Sequence, residues 1–128
     1  MIIIGIDPGT TSIGFGVIKK DKAKLSMISC GVIKNSGNDK IQDYKNTSTQ
    51  LALLIKKNQP DLAAVEKLFF FKNQKTVISV SEMRGIIMLT LSRQGIPIYE
   101  FTPLQVKQAV SGYGRAEKNQ VQDFCGVG

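Results

Sequence analysis

The chain alternates between short apolar runs and stretches of helical periodicity, and the order of these segments predicts a mixed α/β fold. Met1–Asp7 is an unbroken apolar run closed by Pro8-Gly9, the pattern of a central strand covered on both faces. Ser12–Lys19 and Lys24–Lys34 alternate, with Lys19-Lys20-Asp21-Lys22 as a charged turn between them, so a three-stranded meander opens the fold. After an Asn35-Ser36-Gly37 turn, Ile41, Tyr44, Ser48, Leu51, Leu54 and Ile55 recur at helical spacing until Asn58-Gln59-Pro60 ends the helix. Leu62–Val65 is a short buried strand. Gln74–Gln94 is a long helix, and Val77, Ile78, Val80, Met83, Ile86, Ile87, Met88, Leu89 and Leu91 surround so much of it that more than one face must be covered. Either the helix is central to the core, or its free face forms a homodimer interface, with Gly85 permitting close approach. A last strand lies within Gly95–Glu100; Thr102-Pro103 then starts a helix that ends at Gly112, and a further helix begins near Glu117.

This order, meander, helix, strand, long helix, strand, is that of a ribonuclease H-like fold: α/β, a five-stranded mixed sheet flanked by helices. With 128 residues and no linker or repeat, the reading is one domain over 1–128. No apolar run approaches the roughly 18 residues of a membrane span, and the N-terminus reads as a strand, not an export signal. The cytoplasm is the expected compartment. Cys30 and Cys125 show no metal-ligand spacing and are expected as free thiols.

Composition then narrows the chemistry. A formal charge of +7 favours a polyanionic partner such as DNA or RNA. The absence of histidine excludes Ser-His-Asp catalysis, histidine bases and His-bound zinc, leaving carboxylates, lysines and oxygen-liganded ions such as Mg²⁺ or Mn²⁺. Asp7 and Glu66 each stand where a buried strand run stops. In open α/β sheets, ligands gather at the carboxyl ends of parallel strands, so the two acids are expected to meet there. An isolated acid at a strand end is ordinarily solvated or caps a turn; two held together repel unless a divalent cation lies between them. The Gly5-Ile6-Asp7-Pro8-Gly9-Thr10-Thr11 segment also resembles the phosphate-binding hairpin of actin-like ATPases, but those enzymes need a second nucleotide-binding half for which this length has no room.

A set of segments resembles the RuvC family of Holliday junction resolvases in order and spacing: Ile4-Gly-Ile-Asp7-Pro-Gly with Gly14-Phe-Gly16; Val65-Glu66-Lys-Leu-Phe69-Phe-Phe-Lys72-Asn73; Arg84-Gly85; and Gln105-Val-Lys107-Gln through Ala116-Glu117-Lys118-Asn-Gln120. The resemblance implies a structure-selective endonuclease that resolves four-way junctions in recombination and repair by metal-dependent symmetric nicking. It implies Asp7 and Glu66 as two of four catalytic acids on Mg²⁺, with Mn²⁺ as a substitute. Lys107 and Lys118 become lysines on the DNA backbone near the cut, and Phe69 a ring against bases at the junction centre, with Lys72 in the same DNA-facing loop. It further implies a homodimer that matches the two-fold symmetry of the junction, served by the RuvAB branch-migration complex.

In one respect the sequence departs from the family pattern. Its glycine-rich tail, Asp123–Gly128, stands where the family continues to a last helix with the other two acids. The expectation from sequence is therefore an incomplete nuclease domain that binds junctions and cuts feebly or not at all. A junction or nucleic-acid binding domain without cleavage activity is the alternative, and an ATPase-type phosphate binder a more distant one.

Overall fold

A computed structural model describes residues 1–67 and 74–102 of the chain. Its elements follow the order expected: β1 Ile2–Asp7, β2 Ser12–Asp21, β3 Lys24–Lys34, α1 Lys40–Asn58, β4 Leu62–Glu66, α2 Gln74–Arg93 and β5 Ile98–Phe101. The strands form one five-stranded sheet in the order β3-β2-β1-β4-β5. β1 pairs antiparallel with β2 and β2 with β3, whereas β1–β4 and β4–β5 are parallel, so the sheet is mixed. Among the described residues no helix is long and apolar enough to cross a membrane. The helix starts expected at Thr102 and near Glu117 lie in or run into the part of the chain outside the described residues.

Strand periodicity sorts the side chains onto two faces. Ile4, Ile6, Ile13, Val17, Ala63 and Val65 are buried in one cluster with Leu51 and Ile55 of α1 and Met83, Ile87 and Leu91 of α2. Both helices therefore cover the same face. The alternate positions, Ile3, Gly5 and Asp7 on β1 and Leu62, Ala64 and Glu66 on β4, belong to the opposite face.

The buried stripe of α1 differs from the one its apolar residues suggest. Asp43, Thr47, Leu51 and Ile55 are buried at a spacing of four, while Ile41 is 58% exposed. The first two are polar because that end of the helix meets the polar groups of the turn after β3, not apolar side chains. The Asp43 carboxylate accepts from the Ser36 amide at 3.2 Å, the Ser36 hydroxyl at 3.2 Å and the Gly37 amide at 3.0 Å. The Thr47 hydroxyl accepts from Asn35 Nδ2 at 2.8 Å, and the same amide group donates to the Thr10 carbonyl at 2.9 Å. The turn that leaves β3 is thereby tied to both α1 and the β1–β2 loop. A buried polar group left without its partner costs about 1–3 kcal/mol. Asp43→Ala should accordingly lower stability by about 2 kcal/mol, read as a shift of the urea midpoint without a change in slope.

α2 covers only one face. Val80, Met83, Ile87, Thr90 and Leu91 are buried, but Ile78 is 58% and Leu89 51% exposed. Within this chain the helix is thus half-embedded, and of the two explanations for its apolar circumference the chain alone satisfies one half. The free-thiol expectation does not hold for Cys30, which is not free, and Cys125 lies outside the described residues.

Candidate active site

The β1–β4 register sets the site. Ile3 lies beside Leu62, Ile4 beside Ala63, Gly5 beside Ala64 and Ile6 beside Val65. Asp7 and Glu66 are each the next residue, at adjacent parallel strand ends and on the face away from the helices. Their side chains are near enough to act on one another, with the Glu66 carboxyl half-buried. Glu66 is pushed up to about 7, first by burial, then by the hydrogen bond to Asp7 and by the Asp7 charge. A carboxyl group that is partly buried beside another acid ionises at a cost, so Glu66 keeps its proton up to near neutral pH.

Small residues keep the ground around the pair low. Gly14 is the β2 partner of Asp7, and a Cβ there would approach the Asp7 Cβ to 3.7 Å; Gly5 and Gly16 pair one step behind. The loop that leaves Asp7 is shaped by Gly9, where a Cβ would lie 2.2 Å from the Ser12 carbonyl oxygen, a separation no side chain survives. Glycine is thus required for the backbone to turn back into β2 immediately beyond the acid. At the rim Lys34 Nζ donates to the Ser12 hydroxyl at 3.2 Å.

Behind the pair, on the helix side, lies Arg84 of α2. Its Nε donates to the Glu66 main-chain carbonyl at 3.2 Å, Nη1 approaches Met88 Sδ at 3.3 Å, and Nη2 lies 3.1 Å from Glu100 Oε2. Nη2 makes no hydrogen bond in this arrangement, so its contact with Glu100 is charge pairing without hydrogen-bond alignment. Sequence reasoning noted Arg84 within a motif but gave it no role. The signal was present: with Val80, Met83, Ile87 and Leu91 it occupies the inward stripe of α2, where a cation needs a partner.

The structure thus brings together Asp7 and Glu66. Phe69, Lys72, Lys107 and Lys118 lie outside the described residues. Among the described residues, no group of three or more metal-ligating acids, cysteines or histidines forms, so the pair is the donor set at hand. Two oxygen-only side chains, of which Glu66 keeps its proton to near neutral pH, suit a hard divalent cation, which would take the place of that proton.

Comparison with known proteins accords with this geometry. The family model described as crossover junction endodeoxyribonuclease RuvC matches residues 3–126. The crossover junction endodeoxyribonuclease RuvC of Petrotoga mobilis is 52% identical over 123 residues, covering 95% of this chain and 76% of that protein. Its counterpart in Caldanaerobacter subterraneus subsp. tengcongensis is 46% identical over 128 residues, covering 99% and 78%. Among solved structures, Thermus thermophilus RuvC in complex with Holliday junction substrate superposes with a TM-score of 0.81 at 27% identity, over 87% of this chain and 72% of that one. The sheet and its two helices match those RuvC structures, which have a ribonuclease H-like fold, and nucleases of the family depend on divalent metal. By sequence and by fold, the chain belongs to the crossover junction endodeoxyribonuclease RuvC family.

Proposed function

We propose that the chain is a structure-selective DNA endonuclease that resolves four-way junctions by paired, symmetric nicking, with Asp7 and Glu66 as ligands of Mg²⁺ and Mn²⁺ as a substitute. The observation that carries this reading is the placement of the two acids side by side at the ends of adjacent parallel strands, on an open sheet face floored by glycine. Bound there, a divalent cation supplies Lewis-acid activation of a phosphodiester and of water. The protein's own part is to hold the acids at one strand-end level and to keep the ground above them free for a duplex arm. The family match favours this reading over both a binding domain without cleavage and an ATPase-type phosphate site. The same match favours cutting over the feeble or absent cleavage expected from the glycine-rich tail, so incubation with a synthetic four-way junction and Mg²⁺ should give nicks in two strands of like polarity, and a linear duplex of the same sequence should stay intact. Equal cutting of both substrates would contradict junction selectivity.

Phe69 and Lys72, in the segment between β4 and α2, and Lys107 and Lys118 further on, complete the proposed DNA contacts: a ring for stacking at the junction centre and three cations for the backbone. The net charge of +7 supports such a surface. The protein acts in the cytoplasm, where the RuvAB branch-migration complex is the expected partner by family.

The exposed stripe of α2 supports a homodimer. Ile78, Gly85 and Leu89 lie one to two turns apart on the same side, and the two large members are more than half exposed. The wild type should elute as a dimer at micromolar concentration, and Leu89→Asp should move it to the monomer position with its circular dichroism unchanged. A monomeric wild type, or a variant that stays dimeric, would remove this face as the interface.

A further inference from the structure

We infer that Arg84 is a positioning residue for the metal-binding acids, holding the carboxyl end of β4 from the buried side so that Glu66 stays level with Asp7; this rests on the reading of those acids as a cation site. β4 needs such a hold because its pairing with both neighbours runs out at this point. The last β1–β4 partner pair is Ile6 with Val65, and the last β4–β5 pair is Glu66 with Phe101. Beyond these, Lys67 N–H donates to the Phe101 carbonyl at 2.7 Å, which secures the β5 side. The Glu66 carbonyl receives Arg84 Nε at 3.2 Å instead.

The arginine is itself fixed on three sides. Its side chain is only 15% exposed, its stem rises from the core stripe of α2, and the Glu100 carboxylate lies 3.1 Å from Nη2. Glu100 pairs with Val65 across β4–β5, so it faces the helices as Val65 does, and not the acids. The guanidinium thus links α2, β4 and β5 at one level behind the site. Its charge is matched by Glu100, and it is not among the groups that shift Glu66. Arg84 therefore acts on the metal site through the backbone. A two-carboxylate site tolerates little relative movement of its ligands, and groups that orient ligands from behind typically alter metal affinity about 10- to 100-fold when lost.

Arg84→Lys separates positioning from folding. A lysine preserves the buried stem and the pairing with Glu100, but its single ammonium cannot serve Glu66 and Glu100 together. Mn²⁺ binding followed by electron paramagnetic resonance should weaken about tenfold, while the melt stays cooperative and metal-free junction binding in a gel shift is unchanged. A merely structural role would lower the melting temperature and leave the Mn²⁺ affinity of the folded chain as it was, and that result overturns the proposal. If Arg84→Lys does not fold, Glu100→Gln serves instead, since it loosens the guanidinium without removing it. Weaker Mn²⁺ binding supports the proposal in that variant, and unchanged binding overturns it. The wild type and Asp7→Asn bracket the measurement. A wild type that holds no Mn²⁺ overturns the cation site and this proposal together, whereas Mn²⁺ binding lost in Asp7→Asn but kept in Arg84→Lys overturns this proposal alone.

Discussion

Asp7→Asn should lower cleavage of a synthetic four-way junction at least about a hundredfold, or to the limit of detection, while junction binding in a gel shift without metal is retained or strengthened. The arithmetic follows from the site's small donor set. An amide in place of Asp7 keeps the shape and removes the negative charge, so among the described residues a divalent cation would face a single ionisable carboxyl group of the pair. Each 1.36 kcal/mol lost from the transition state is about tenfold in rate, and the charge stabilisation a metal gives a phosphoryl centre amounts to several kcal/mol. Binding behaves differently because it is carried by phosphate contacts, to which an acid at the centre of the site contributes only repulsion. Stability moves in the opposite sense from activity. Glu66 is pushed up partly by the Asp7 charge, so the wild-type pair is a destabilising arrangement in the absence of metal. Metal-free Asp7→Asn should melt above wild type at pH 8. A variant that is inactive because it is unfolded cannot show that rise, and a variant that still cuts at near wild-type rate would sink the assignment of Asp7.

How far this site was legible in the sequence depends on which contacts are local. A buried apolar run that ends in an acid is visible as such, and the same pattern at Ile2–Asp7 and Leu62–Glu66 places both acids at carboxyl strand ends. The meander, the parallel return of β4 and the helix boundaries follow from periodicity and turn residues in the same way. The inward stripe of α1 was not legible, because Asp43 and Thr47 are buried by bonds to Ser36, Gly37 and Asn35 and not by apolar contact. Hydrophobic periodicity sees only side chains that leave water for each other; it is blind to those buried against polar partners. Arg84 belongs to the same class. Its place on the core stripe of α2 marks it as a cation in need of a partner, yet its partners, the Glu66 carbonyl and Glu100, come from two different strands. Only the sheet order, with β4 next to β5, brings those two within reach of one guanidinium.

Metal binding and cleavage should both depend steeply on pH below neutrality. Glu66 stands at about 7 in the folded chain against a usual 4.5, so between those values the folded state holds a proton that the unfolded chain has already released. The metal-free protein is therefore favoured at low pH, and the contribution from Glu66 is lost as pH rises from about 4.5 through about 7. A divalent cation competes with that proton, since it binds the ionised pair. At sub-saturating Mg²⁺, cleavage should fall about tenfold for each pH unit below 7, to about a hundredth at pH 5, because the fraction of ionised Glu66 falls in that proportion. Raising Mg²⁺ should move the midpoint of the profile toward acid, and the loss of stability between pH 5 and 8 should flatten when Mg²⁺ is present. Calorimetric titration in two buffers of different ionisation enthalpy would count the protons released: close to one at pH 6, and almost none at pH 8.5, where Glu66 is already ionised. Mn²⁺ affinity that does not change between pH 5 and 8 would mean that the cation does not displace the Glu66 proton, and that the two acids are not its common ligands.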